Sequence, residues 1–266
     1  MFPLNTDRFP TTSAELTNEL NQSLRQHFNL SGDPVKIQEI AYPHLATIEV
    51  SLDGATLNER PTDIPKVRGD TVPALRVDSF SASGERLAVG PAAIDFRLEA
   101  EDVDLYRALD AKGNVLLLLE NASQGRVEIS TATADLEALI AEVAADEAAK
   151  HGVAVDNVQL FLHSSGPRSL AAEVRLRGKK LFMSASLRIT GQLDLDEELN
   201  ARLSGLDCVG DGAIANVACG ILKPHLQKLD GRVFPLMSLP IGAVRLRDVR
   251  IAVGDRLSVN AEFGSA

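Results

Sequence analysis

The sequence predicts an α+β protein built on antiparallel sheets. Three segments have helical periodicity, and nearly everything between them alternates with period two. The order runs helix, several strands, helix, several strands, helix and a final hairpin. Strands that do not alternate singly with helices argue against a parallel doubly wound sheet.

The first helix is SAELTNELNQSLRQHF, where Leu16, Leu20, Leu24 and Phe28 recur every four residues and Ser13 is the expected N-cap. A strand pair, DPVKIQEIAYPHLATIEVSLDGATL, follows it. Ile94, Phe96 and Leu98 share one strand face, while VLLLLE (115–120) is apolar on both faces and reads as a strand covered on both sides. The second helix has the stripe Leu136, Leu139, Ile140, Val143 and Ala144, opened by Thr133 and closed by Gly152. Alternation resumes with Val158, Leu160 and Leu162, then Val174 and Leu176. Beyond a turn at Gly178-Lys179 it continues through Leu181, Met183, Ala185, Leu187 and Ile189.

The third helix carries Ile214, Val217, Ala218, Ile221, Leu222 and Leu229, with a kink or break expected near Lys223 because Pro224 removes an amide donor. The chain then reads VRLRDVRIAVGDRLSVNAEF, a hairpin turning at Gly254-Asp255. Its first strand changes phase between Val244/Leu246 and Val249/Ile251/Val253, which predicts a β-bulge at Arg247-Asp248. The first two helices each introduce long strands, a weak echo that suggests pseudo-repeats over 11–130 and 131–266 of a single domain, 1–266.

Of the 266 residues, 45% are hydrophobic, aromatics are scarce and Trp is absent, a globular composition. The net charge of −10 opposes general attraction to nucleic acid and to anionic membranes, although the local run RLRGKK (175–180) can act within a Debye length; its plainer reading is a solvated hairpin turn. With no basic segment leading into an apolar stretch at the N-terminus, the sequence as it stands is expected in the cytoplasm; a removed leader would move it to the periplasm or cell envelope. Cys208 and Cys219 lack zinc-site spacing and read as two buried free thiols, with a single disulfide as the alternative.

No motif carries obvious chemistry. Gly210, Gly212 and Ala215 satisfy G-x-G-x-x-A, but the poor strand before them and the hairpin beyond favour glycines at a tightly packed helix start over a dinucleotide site. His163-Ser164-Ser165 is a poor dyad because strand neighbours point to opposite faces. The acidic clusters Glu99/Glu101/Asp102/Asp104 and Asp194/Asp196/Glu197/Glu198 depart from calcium-loop spacing and read as solvated turns. Neither a metal, a cofactor nor a catalytic residue is expected. What remains is apolar surface, which reads either as plain core or as an acyl-chain groove.

The run AIANVACGILKPHLQKLDGRVFPLMSLPIGAVRLRDVRIAVGDRLSVNAEF resembles the end of LmeA-like phospholipid-binding proteins, a bacterial branch of the tubular lipid-binding (TULIP) superfamily: an amphipathic helix, a Pro-containing segment, an L-x-D-V-x-I strand and a closing L-x-V-x-A strand. The opening helix, its strand pair and RVEISTATADLEALIAEV follow the same plan. That resemblance implies long amphipathic helices cradled by a strongly curved antiparallel β-sheet (TULIP-like roll), enclosing an apolar tunnel for phospholipid or fatty-acyl tails. The expected lining is Leu136, Leu139, Ile140, Val143, Ile214, Val217, Ile221, Phe96, Phe161, Leu181 and Met183. Phe234, Leu236, Met237 and Leu239 form either a membrane-touching lip or a packed connector. The hairpin would then cover the third helix and one tunnel end. Lipid binding and transfer is the leading expectation, and an esterase centred on Ser164 or Ser165, or an interaction module with a closed core, is the alternative.

Overall fold

The computed structural model describes residues 2–4, 6–58, 66–150, 152–180, 183–236 and 244–265, with backbone alone for Lys180, Met183 and Ile214. The chain opens with β1 (Phe2–Pro3), α1 (Ser13–His27), β2 (Phe28–Asn29), β3 (Val35–Ala41), β4 (His44–Ser51), β5 (Thr56–Leu57), β6 (Arg68–Val89), β7 (Ala92–Leu109), β8 (Val115–Asn121) and β9 (Gln124–Ala132). It continues through α2 (Thr133–Ala149), β10 (Ala154–Gly166), β11 (Ser169–Lys180), β12 (Met183–Leu195), β13 (Asn200–Asp211), α3 (Ala213–Leu229), β14 (Val233–Pro235), β15 (Val244–Val253) and β16 (Arg256–Ser265).

Strand makes up 61% of the structure and helix 20%, which overturns the expected α+β roll of long helices cradled by one curved antiparallel sheet. Instead, two sheets form. The larger, of 11 strands, has the central order β15-β16-β9-β7-β6-β4-β3, and β4 runs parallel to β6, so it is mixed rather than antiparallel. The smaller is the antiparallel series β10-β11-β12-β13-β14. The helices are 15, 17 and 17 residues long. They lie on the sheets and are not enclosed by them. Periodicity identifies which residues share a face, but it does not say whether a sheet will wrap that face.

The main core lies under α1, where Leu16, Leu20 and Leu24 meet Leu4, Val35, Leu45, Ile48, Leu75, Val77 and Leu117. The cap of α1 is Thr12 rather than Ser13: its side chain accepts from the Glu15 amide, and the Glu15 carboxylate reaches back to the Thr11 amide at 2.8 Å. Val115, Leu116 and Leu117 are all buried, so the start of VLLLLE is indeed covered on both faces. Of the expected kink or break, Pro224 makes no break, since α3 is continuous; Gly220, whose carbonyl loses its helical donor, is exposed and can turn to water.

The C-terminal hairpin does not stay with its sequence neighbours. β16 pairs with β9 along its length, from Arg256↔Ala132 to Phe263↔Gly125, so the last strands complete the first sheet. Gly125 is required there, because a Cβ would stand 2.2 Å from the Phe263 ring. The expected bulge occurs between Leu246 and Asp248, and the guanidinium of the extra residue, Arg247, donates to the Ser265 carbonyl at 2.9 Å. The hairpin's apolar face covers neither α3 nor a tunnel end. Val249, Ile251 and Ala261 pack with Leu195, Leu199 and Ala201 in a second core, where the two sheets meet.

Polar contacts hold the same junction. The Ile251 amide donates to the Pro167 carbonyl at 2.6 Å, and Arg168 pairs with Asp248 at 2.8 Å. Arg168 and then Arg250 donate to the Asp248 carboxylate and hold its pKa below the usual aspartate range. Its stabilising contribution is therefore present above the unfolded-chain pKa of about 3.9 and is lost as pH falls through the lower folded value. Asp248→Asn is expected to cost about 1–2 kcal/mol at neutral pH. In denaturant unfolding at pH 7 and at pH 3, the difference from wild type should shrink at the lower pH.

Candidate functional site

The candidate site is the helix-bearing face of the smaller sheet. Its register stacks Leu160, Val174, Ile189 and Cys208 in one row and Val158, Leu176, Leu187 and Gly210 in the next. Cys208 is disulfide-bonded to Cys219 of α3, which fixes α3 to this face and overturns the reading of two free thiols. The glycines of the G-x-G-x-x-A run serve that contact. A Cβ on Gly210 would stand 2.5 Å from the Ala215 backbone, and Gly212 holds φ +92° at the helix cap.

On the other flank, α2 packs along β10, and the Glu137 carboxylate accepts the Leu160 amide at 2.9 Å. This satisfies an outward-facing donor of the edge strand and blunts that edge. The α2 N-terminus is tied to the terminal hairpin, with the Thr133 amide donating to the Asp255 carbonyl at 3.1 Å. A cleft of about 390 Å³ opens at this meeting point, lined by Thr133, Leu160, Phe161, Leu162, Val253, Gly254 and Asp255.

Between the two helices the sheet is only partly covered. Val158 and Leu160 are buried, but Leu162, Val174, Leu176, Leu187 and Ile189 are half-buried. No residue of α2 is buried: Leu136, Leu139 and Ile140 are half-buried and Val143 is 53% exposed. On α3 the inward residues are Ala215 and Cys219, whereas Val217 and Ile221 are 66% and 60% exposed.

The expected lining is thus only partly brought together. The α2 residues gather beside β10, whereas Val217 and Ile221 point outward from α3 on the far flank. Phe96 belongs to the other sheet, its ring packed where a side chain on Gly84 would be. Phe161 lies on the opposite face of β10, 45% exposed, with the Arg175 guanidinium 4.5 Å from its ring centroid. Phe234 on β14 is 41% exposed, and Leu236 packs into the second core. Leu181, Met237 and Leu239 fall outside the described residues, as do the side chains of Met183 and Ile214. Sequence reasoning missed Val174, Leu176, Leu187 and Ile189 as site residues, although their alternation was visible; their cross-strand register was not.

Ser164 and Ser165, the residues on which the esterase alternative is centred, bond to the β10–β11 turn region. Ser164 donates its hydroxyl to the Gly166 carbonyl and Ser165 donates to Ser169 Oγ at 3.1 Å; among the described residues neither bonds a histidine. No group of acidic, His or Cys side chains among the described residues is arranged to hold a metal ion. Nor does any helix among them have the length and apolarity to cross a membrane. Comparison with known proteins finds no matching family model, curated protein or solved structure.

The disulfide closes a short loop between β13 and α3, with a sequence separation of 11. Cys208→Ser with Cys219→Ser should lower unfolding free energy by about 3 kcal/mol through the freed unfolded chain. Denaturant titration of oxidised wild type against the double variant measures it.

Proposed function

We propose that this protein binds an acyl lipid on the apolar face of β10–β13, at the flank covered by α2, with the cleft beside the β15–β16 turn as the way in. The observation that carries the reading is α2 itself: a 17-residue helix with a continuous apolar stripe and no buried side chain. An ordinary core helix is stabilised by tertiary burial of such a stripe. Here much of that burial is missing, and an acyl chain laid between α2 and the half-buried Leu162, Val174 and Leu176 would supply it. Each methylene removed from water contributes roughly 0.8 kcal/mol, so affinity can come from the tail without a strong headgroup contact.

The resemblance of the C-terminal third to LmeA-like phospholipid-binding proteins points to the same ligand class, on a scaffold different from the roll it implies. The disulfide supports an oxidising compartment such as the periplasm or cell envelope. Release to or uptake from a bilayer would need transient membrane contact, for which the exposed Val217 and Ile221 offer apolar surface.

Native mass spectrometry after expression in lipid-rich cells should show a bound lipid, and delipidated protein should take up a fluorescent fatty acid. Val143→Glu together with Leu136→Glu should weaken uptake about tenfold or more, because a charge on the stripe must be desolvated. Apo mass only, with no uptake on incubation, would refute lipid binding.

A further inference from the structure

The opposite face of the smaller sheet carries a basic concavity, a second feature independent of the lipid reading. Arg175 and Arg177 of β11 and Arg188 of β12 line a concavity of about 500 Å³ together with Asn157, Gln159 and Ser186. Arg175 and Arg188 are direct cross-strand partners. Like charges placed opposite one another destabilise a sheet. Such an arrangement is also at odds with a chain whose net charge is −10.

The three arginines are not equivalent. Arg175 is anchored, stacked over Phe161 at 4.5 Å and paired with Glu173 at 2.5 Å. Among the described residues Arg177 and Arg188 have no ion-pair or hydrogen-bond partner. Asp211 is the single carboxylate of the described lining and makes no ion pair with either. Two unpaired guanidinium groups beside a held third present planar, forked donors, the geometry that matches phosphate oxygens. Their combined charge suits a group carrying about −2 near neutral pH, as a phosphate monoester does.

We infer that this concavity is a binding site for a phosphate-bearing ligand, held by Arg177 and Arg188 with Arg175 as the preset third donor. Asn157, Gln159 and Ser186 offer neutral hydrogen bonds to the remainder of the ligand. The phosphate can belong to a soluble molecule or to a lipid headgroup, and the two are separable by experiment. Because the site lies on the face turned away from α2 and α3, its failure would leave acyl-chain binding untouched, and the reverse also holds.

The test is calorimetric titration of the full chain with pyrophosphate at low ionic strength, alongside flotation with phosphatidylcholine vesicles containing phosphatidic acid. Saturable binding to either probe is expected. Arg177→Gln and Arg188→Gln should each weaken it about tenfold, and Arg245→Gln, an exposed arginine on β15, should not. Pyrophosphate binding without vesicle retention assigns a soluble ligand; arginine-dependent retention assigns a headgroup. Ligand-free Arg188→Gln should melt no lower than wild type, since it relieves a like-charge pair, so lost binding cannot be put down to misfolding. No saturable binding of either probe, or unchanged binding in both variants, overturns the inference.

Discussion

The pairing of β16 with β9 is the constraint on which the rest of this molecule depends. It brings the last strands back to a sheet begun more than a hundred residues earlier and places Val249, Ile251 and Ala261 under the end of the smaller sheet. Closing such a long loop costs chain entropy, which grows only slowly with length. A continuous ladder plus a shared apolar cluster can offset that cost. The Asp248 contacts and the Arg247 bulge then set the angle at which the hairpin meets Pro167 and Arg168.

With the hairpin paired into the first sheet and touching only one end of the smaller one, the rest of the helix-bearing face of β10–β13 is covered, among the described residues, by α2 and α3. Each helix is fixed at its own flank, α2 by the Glu137 bond and the Thr133 tie, α3 by the disulfide and the Gly210 contact. The strands between them keep an apolar band that is neither core nor ordinary surface. The reverse face repeats this division in polar form, with the basic concavity occupying the space that the alternate residues of the same strands point into. One four-stranded segment therefore presents two chemically distinct surfaces, a direct consequence of period-two alternation.

Local structure was legible in the sequence wherever a local rule decided it. The Gly254-Asp255 turn, the bulge beside Asp248, the spans of α1 and α2 and the start of α3 follow from phase and turn chemistry. Long-range pairing was not legible: nothing in RLSVNAEF states that it will join GRVEISTA, and nothing in HLATIEVS states that it will run parallel to β6. How far the helical stripes are covered was not legible, for a related reason. Leu136 through Val143 and Val217 with Ile221 have the right spacing, but exposure depends on which elements the topology delivers to cover them. Strand parity puts Phe161 beneath Arg175, on the other side of the sheet from Leu160 and Leu162.

The central claim is that α2 and the apolar face beside it are open in the free protein and closed by an acyl ligand. Hydrogen exchange followed by mass spectrometry, with and without a long-chain fatty acid, measures this most directly. In the free protein, α2 amides should exchange much faster than those of β7 and β9, and ligand should slow exchange in α2 and β10–β12 while leaving β6 and β7 unchanged. Protection of α2 equal to that of β7 before ligand is added, with no change on addition, would contradict it.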